Sequence, residues 1–383
     1  MSKRKSNLEL LRIISMILIV MSHCDEIFGL SNLYSQTLGI GKIINDWLNM
    51  GGQIGVGCFL LISGYFMIEQ RVTLKKIMRI GGQVWFYTIS IWLGWLLMSL
   101  YLHQFDLKDS LVKAVYSFFP ILFSHYWFVT AYIILMILAP FFNKLIYALN
   151  EKEYKRLLVL LIGIFVVIGG GFPKLLEGIF EGRIIPVFVV YFVAGYIKRF
   201  VNVSLKNSGK HLMVALGFYV LLFASSYIIT YIGILLDSDT IKGLRYFYRE
   251  LNSPLIIVIC VELFLSFLKM DIGKKEIINS IAGKTFGVYL IHSNKIISSI
   301  VLPKIFPIYL VDNPVLIFIY SVESVIIIYV VCTAIDSLRQ LTVEKLWLKI
   351  LNSKLDKIQS KISVLTERIC CNCKKVLKNY YCK

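Results

Sequence analysis

The strongest constraint on this chain is a succession of apolar stretches, each about as long as a membrane is thick. A helix needs about 20 predominantly apolar residues to cross the hydrocarbon core of a bilayer. The sequence therefore predicts an all-α, polytopic membrane helix bundle with about ten transmembrane helices. The predicted spans cover residues 8–30, 50–68, 80–102, 126–142, 157–172, 184–197, 211–236, 254–268, 285–303 and 314–338.

The composition excludes the common alternatives. Hydrophobic residues make up 57% of the chain and charged residues 17%, whereas soluble domains have about one half and one quarter. Low charge and high apolar content also exclude a disordered chain.

The basic residues predict the orientation of the bundle. Lys and Arg number 41 against 23 acidic residues, a formal net charge of +18. With the N-terminus in the cytoplasm, 30 of the 41 basic residues fall in predicted cytoplasmic segments. Membrane proteins concentrate Lys and Arg on that side, so both termini are predicted to be cytoplasmic. The charge is then explained by topology and by contact with membrane lipids, and no nucleic acid is expected as a partner.

Two regions follow from the pattern: a membrane domain, residues 1–338, and a basic amphipathic cytoplasmic tail, residues 339–383. Apolar residues recur in the tail every three to five positions from Ile350 to Ile369. Such a stripe favours a helix lying on the anionic inner leaflet. Pairing with another tail, and so a homo-oligomer, is the alternative. The terminal cysteines match no standard zinc spacing, and no metal is expected.

Ionisable residues inside the spans are the first candidates for function, because each costs several kcal/mol there. Arg12 and His23 are eleven residues apart in the first span. That spacing puts both on one face of a helix, about 16 Å apart along its axis. Arg12 is then near the cytoplasm and His23 in the outer half of the bundle.

Two further residues are expected at the depth of His23. Glu323 lies fifteen residues before the inner end of the last span, about 22 Å from the inner face. A carboxylate beside His23 would orient the imidazole for general-base catalysis. His292 is a candidate for lining the same cavity, and a packed structural histidine is the alternative.

Four stretches resemble integral-membrane acyltransferase family 3, of the bacterial surface-polysaccharide O-acetyltransferase type. The family's first helix carries an Arg, ten residues and then a His, as in Asn7-Leu8-Glu9-Leu10-Leu11-Arg12 followed by His23. The stretches 59–65 (FLLISGY), 126–128 (YWF) and 286–292 (FGVYLIH) are also similar. Their order matches that of the family over about residues 5–338.

The resemblance implies transfer of an acyl group, usually acetyl from acetyl-CoA, to hydroxyl groups of sugars. It makes His23 the proposed catalytic base and places the family's Arg at Arg12. The family's Arg-x-x-Arg pair falls on Lys76-Ile77-Met78-Arg79. Lys76 keeps the charge of the replaced Arg but not its bidentate geometry.

These residues combine into a hypothesis. The phosphates of acetyl-CoA are held by Arg12, Lys76 and Arg79, and Glu323 orients His23. The acceptor, a sugar polymer or a lipid-linked glycan, binds in a pocket. His23 acts as a general base or as an acetyl acceptor, and the sequence leaves both open. The candidates for lining the acceptor pocket are Ser63, Tyr65, Trp127 and His292.

A transporter or exporter of a saccharide or small metabolite is the main alternative, since it would also bury His, Glu and Arg. Such a protein often shows internal repeats, and none is evident. A polymerase would be expected to have a large outer loop, whereas the longest predicted loop has about twenty residues. The Lys-, Ile- and Asn-rich composition favours a bacterial chain, and hence the bacterial cytoplasmic membrane.

Overall fold

The apolar stretches fold as helices, which satisfy their backbone hydrogen bonds within one segment. The computed structural model describes residues 6–30, 34, 37–70, 72–169, 184–202, 207–244, 250–308, 311, 313–349 and 353, and none of these lies in a β-strand. The α-helices in chain order are α1 (Ser6–Phe28), α2 (Ile40–Met67), α3 (Leu74–Tyr101), α4 (Leu107–Phe118), α5 (Trp127–Ala148), α6 (Glu151–Ile162), α7 (Ile184–Phe200), α8 (Ser208–Leu235), α9 (Asp239–Leu244), α10 (Pro254–Leu268), α11 (Glu276–Ala282), α12 (Thr285–His292), α13 (Leu302–Ile305) and α14 (Pro314–Leu341).

The predicted all-α membrane bundle is confirmed. Six helices in the described ranges are long and apolar enough to cross a membrane, namely α1, α2, α3, α5, α8 and α14. Helix α10 matches the predicted span 254–268 but has only 15 residues. Helix α7 is also short, with 17 residues, and the span predicted over 157–172 ends outside the described residues. The count of ten and the cytoplasmic location of both termini stay predictions.

Helix α2 begins ten residues before the predicted span, at Ile40 instead of residue 50. Hydropathy placed Lys42 in an outer loop, but its side chain is fully buried. Its Nζ atom lies 2.5 Å from Asp46 Oδ2, and Ser226 of α8 donates to the same oxygen at 3.0 Å. A paired charge is far less costly to bury than an isolated one, so this polar turn continues the helix.

The span predicted over 285–303 is interrupted. Helix α12 ends at His292, and a π-helix, Ile297–Val301, follows after a short irregular segment. Asn294 holds this segment: its Oδ1 accepts from the backbone of Ile296 at 3.0 Å, and its Nδ2 donates to Tyr126 at 3.0 Å. Side chains of this type compete with helical hydrogen bonds. Irregular backbone at membrane depth is tolerated where it lines a cavity.

Helix α1 is central to the bundle. It packs along α2 most extensively and also contacts α10, α11, α12 and α14. Two glycines allow the close approach of α2: a Cβ atom at Gly52 would lie 2.3 Å from Ser22 Oγ, and one at Gly55 would lie 2.4 Å from the Ser15 carbonyl oxygen. Small residues permit such contacts between membrane helices. The glycines thereby fix the position of the segment that carries His23.

A buried polar network joins α3 and α14 at the other end of the bundle. Asp336 is fully buried and accepts hydrogen bonds from Tyr87 at 2.6 Å and from Arg339 at 2.7 Å. Arg339 also lies 2.9 Å from Glu344, in a helical turn that follows α14. The chain therefore stays packed past the predicted boundary at 338. The amphipathic and Cys-rich parts of the tail lie outside the described residues, apart from the single residue 353.

Candidate active site

A cavity of about 540 Å³ lies beside the second half of α1, in the half of the bundle predicted to face outward. One part of its wall is aromatic and is formed by Tyr126, Trp127, Phe128 and Tyr289. The other part is polar and includes Ser22, His23, Asn49, Gln53, His125 and Ser293. Ligand pockets commonly combine such a large apolar surface with a few placed polar groups.

The imidazole of His23, which belongs to α1, lines this cavity. It also contacts the end of α12. Its Nδ1 atom lies 3.0 Å from Nε2 of His292. The His292 Nδ1 atom in turn donates to the Val288 carbonyl oxygen at 2.6 Å. Ser293 Oγ is 3.3 Å from His23 Nδ1 and 3.2 Å from His292 Nε2. His292 is fully buried, so the pair is anchored on the protein side of the cavity.

Trp127, one of the residues predicted for the acceptor pocket, lies on the wall of this cavity. Its position follows from Tyr126, whose hydroxyl donates to the Leu290 carbonyl oxygen at 2.8 Å. The Phe128 ring packs edge-on against Tyr289, with centroids 5.8 Å apart. These contacts tie the start of α5 to α12.

Glu323 does not lie beside His23. The depth prediction was sound, because the next residue, Ser324, has its Oγ 3.9 Å from Cys24 Sγ on α1. The Glu323 side chain is exposed on a different face of α14. There it lines a separate pocket with Phe306 and Tyr320. The role expected of Glu323, orienting His23, therefore has no support in the contacts; the described partners of His23 are His292 and Ser293.

Ser63 and Tyr65 were also expected at the acceptor pocket, and the structure places them elsewhere. Ser63 is eleven residues along α2 from Gly52, about 16 Å further toward the predicted inner face. Its side chain interacts with that of Tyr132, which is within electrostatic range of Arg12. Tyr65 stacks beneath the ammonium group of Lys198, 4.3 Å from the ring centroid. Neither residue is among those lining the cavity.

The predicted phosphate-binding residues are divided between two groups. Arg12 donates to Glu9 at 3.0 Å, and its side chain is 25% exposed. The charges of Arg12 and Lys76 are near enough to interact. Arg79 instead forms an ion pair with Glu344, next to Arg339. The structure thus places Arg12 and Lys76 within electrostatic range of each other and engages Arg79 in the α3–α14 network.

His125 is a cavity residue that hydropathy did not indicate, because it lies just before α5. Burial, and the charge of nearby Lys295, lower the pKa of His125 to about 4. Its Nε2 atom lies 3.3 Å from Asn294 Nδ2, which can only donate, so Nδ1 carries the proton. That N–H is buried and has no partner among the described residues. The sequence feature that could have indicated His125 is its position directly before the stretch 126–128 (YWF).

Comparison with known proteins identifies the family of the chain. A comparison with curated proteins finds no significant match, and neither does one with solved structures. The family model described as an acyltransferase domain matches residues 5–333. This match includes α1 with Arg12 and His23, both walls of the cavity, and all but the last turns of α14. The chain therefore belongs to membrane acyltransferase family 3.

Proposed function

We propose that this acyltransferase moves an acetyl group from acetyl-CoA to a hydroxyl group of a sugar, with His23 as the general base. The observation that carries the proposal is the position of His23. It lines the cavity, its Nδ1 atom is held by His292, and its Nε2 atom makes no hydrogen bond with the described residues. A base needs such an unpaired nitrogen within reach of its substrate.

The cavity supports a saccharide as acceptor. A sugar ring has apolar faces and hydroxyl groups that both donate and accept hydrogen bonds. The aromatic wall of Trp127 and Phe128 can take the faces, and Gln53 and the His125 N–H can pair with hydroxyl groups. We propose a surface polysaccharide or its lipid-linked precursor, reached from the outside of a bacterial cytoplasmic membrane.

The opposite end of α1 supports the donor. Coenzyme A carries phosphate groups, which favour a cationic site. Arg12 and Lys76 supply two cations near the predicted cytoplasmic face. Tyr132, which interacts with Ser63, is within electrostatic range of Arg12. Arg12 and Arg79 each already pair with a carboxylate, Glu9 and Glu344. Arg79 differs from Arg12 in belonging to the α3–α14 network, which makes it the less suited of the two.

The chemistry assigned to His23 is one proton transfer in each direction. His23 Nε2 takes the proton of the sugar hydroxyl, whose oxygen forms a bond to the thioester carbonyl carbon. The carbon–sulfur bond then breaks, and His23 returns the proton to the departing thiolate. The products are an O-acetyl ester and free coenzyme A, so no further reactant is required.

The test is the O-acetyl content of the host's purified surface polysaccharide, measured by proton NMR. The wild type would be compared with a deletion and with His23→Ala, at matched protein levels, and His103→Asn would serve as a control outside the cavity. Loss of the acetyl signal in the deletion and in His23→Ala would support the proposal. Loss in the deletion alone would reject His23 as the base, and an unchanged signal in the deletion would reject this acceptor.

A kinetic comparison tests whether the two ends of α1 bind different substrates. Ser63→Ala should raise the KM for acetyl-CoA and leave that for the sugar acceptor unchanged, because Ser63 interacts with Tyr132, which is within electrostatic range of Arg12. Initial rates in membrane vesicles, followed by release of free thiol, would give both constants. A change confined to the acceptor KM would place Ser63 in the acceptor pocket after all.

A further inference from the structure

We propose that His292 is the positioning residue of the reaction and fixes the tautomer of His23. In this tautomer the Nδ1 atom of His23 carries the proton and Nε2 keeps a free lone pair. The proton assignment depends on hydrogen bonds alone. Its role in acyl transfer rests on the function proposed above.

The first step is the protonation of His292. Its Nδ1 atom is 2.6 Å from the carbonyl oxygen of Val288. A carbonyl oxygen only accepts, so the Nδ1 atom must carry a hydrogen. A neutral imidazole has a single N–H group. The Nε2 atom of His292 therefore presents a lone pair.

The second step transfers this constraint to His23. The lone pair of His292 Nε2 faces His23 Nδ1 at 3.0 Å, and a hydrogen bond at this distance needs one proton between the two atoms. The single N–H group of His292 donates to the Val288 carbonyl oxygen, so His23 Nδ1 must be the donor in the bond between the two rings. His23 is then left with an unprotonated Nε2 atom.

Ser293 supports the same assignment. Its hydroxyl lies 3.3 Å from His23 Nδ1 and 3.2 Å from His292 Nε2. The oxygen can accept from His23 while the O–H donates to His292. In the reverse arrangement, with the hydroxyl donating to His23 Nδ1, two ring lone pairs would face each other at 3.0 Å.

The series of hydrogen bonds from the Val288 carbonyl through His292 to His23 contains no charged group. We call this series the relay. Catalytic histidines are often oriented by a carboxylate. Asp25 and Glu250 line the same cavity, but the described hydrogen bonds of the His23 ring go to His292 and Ser293. Here a backbone carbonyl orients His292, and His292 orients His23. Both chemical roles open to His23, base or acetyl acceptor, require the bare Nε2 atom that this relay provides.

The proton positions can be measured directly. The chain has only five histidines, so ring-¹⁵N labelling of the full-length protein in lipid nanodiscs gives a tractable spectrum. Comparison with His23→Gln would assign the His23 signals. The proposal expects a protonated Nδ1 and a bare Nε2 in wild-type His23, and a mixture of tautomers in His292→Leu. A proton on His23 Nε2 in the wild type, or an unchanged tautomer in His292→Leu, would overturn it.

A comparison of two substitutions of His292 distinguishes a positioning role of this residue from a packing role. His292→Gln keeps an oxygen that can accept from His23 Nδ1–H, whereas His292→Leu does not. In His292→Leu, kcat should fall by up to the 10²–10⁴-fold or so that general-base catalysis contributes, with the KM for acetyl-CoA unchanged. His292→Gln should recover most of the rate, and His103→Asn should match the wild type.

The outcomes separate this proposal from the proposed function. Equal losses in His292→Leu and His292→Gln, with an unchanged His23 tautomer in both, would reduce His292 to a packing residue. Full acetyltransferase activity in His23→Gln would instead reject His23 as the base, even if the spectrum showed the expected tautomer. A thermal unfolding curve for each variant would show that the compared proteins are folded.

Discussion

At the scale of single residues, the buried N–H of His125 gives a test of the acceptor cavity. Its Nδ1 proton has no partner among the described residues, so we expect it to donate to the acceptor. A neutral hydrogen bond contributes about 1 kcal/mol, and His125→Leu should raise the acceptor KM about fivefold with kcat nearly unchanged. Initial rates at varied acceptor concentration would show this. A lower kcat at constant KM would place His125 in the chemistry instead.

The same residue makes a prediction about pH. With a pKa lowered to about 4, His125 stays neutral over the range in which an ordinary histidine titrates. Its contribution to acceptor binding should therefore be constant from about pH 8 down to about pH 5. The measurement is the ratio of the acceptor KM values of His125→Leu and the wild type at each pH. A ratio that changes near pH 6.5, the ordinary value for histidine, would contradict the assignment.

Asp336 gives a test of stability. Asp336→Asn removes the charge that balances Arg339 in a buried network. Arg339 keeps its ion pair with Glu344, so the substitution weakens a charge-assisted network without leaving Arg339 unpaired, and it should cost about 2 kcal/mol. Denaturant titration of the purified protein in detergent would measure the loss. Glu276→Gln, in an exposed pair with Lys274, should be indistinguishable from wild type, and an equal loss there would point to a general effect of charge.

The orientations of individual side chains were the least predictable part of the site. Helical spacing placed Arg12 and His23 at opposite ends of α1, and counting residues placed Glu323 near the level of His23, which agrees with the contact of Ser324 with Cys24. The direction in which Glu323 points was missed, although Ser321, Ser324 and Asp336 recur on one face of α14, which the structure buries, and Glu323 lies outside that face. His292 was a candidate on sequence grounds, but its contact with His23 depends on where α12 ends.

At the scale of elements, the glycines of α2 control the position of His23. In Gly55→Ala, the new Cβ would lie 2.4 Å from a backbone oxygen of α1, which cannot move as a side chain can. Overpacking of this kind costs about 1–3 kcal/mol. We therefore expect a lower unfolding temperature and a lower kcat, measured together on the purified protein.

Gly94→Ala is the matched control, since a Cβ atom at this exposed position in α3 meets nothing within 4 Å. It should leave kcat unchanged and stabilise the helix slightly, because alanine favours helix over glycine. If Gly55→Ala also left both quantities unchanged, α1 and α2 would not need to pack as closely as the structure shows.

Element boundaries differed from prediction where polar residues compensate one another. Hydropathy began the second span only at residue 50, because Lys42 and Asp46 precede that residue and a hydropathy average cannot show that two charges are paired. Hydropathy likewise predicted one continuous span over 285–303. It did not detect that the Asn294 side chain replaces backbone hydrogen bonds there and interrupts the helix. Both errors have the same cause: a window average counts apolar residues but does not detect tertiary partners.

At the scale of the whole molecule, the two ends of α1 differ in chemistry. The cations Arg12 and Lys76 lie at one end, and the neutral His23–His292 pair and the cavity lie at the other. If the positive-inside pattern sets the orientation, the charged donor stays on the cytoplasmic side and the sugar on the outer side. An enzyme built in this way would pass only an acyl group across the bundle, and neither substrate would need to cross.

That orientation can be tested with the cysteines already in the chain. Cys24, Cys58, Cys260 and Cys332 are all buried in the structure, so a membrane-impermeant maleimide should react mainly with the cysteines after residue 369. We expect labelling in inverted membrane vesicles and none in intact cells, because the tail is predicted to be cytoplasmic. Gln104→Cys, at an exposed position between α3 and α4, should add a label in intact cells. Tail labelling from outside would reverse the orientation and, with it, the assignment of the donor and acceptor sides.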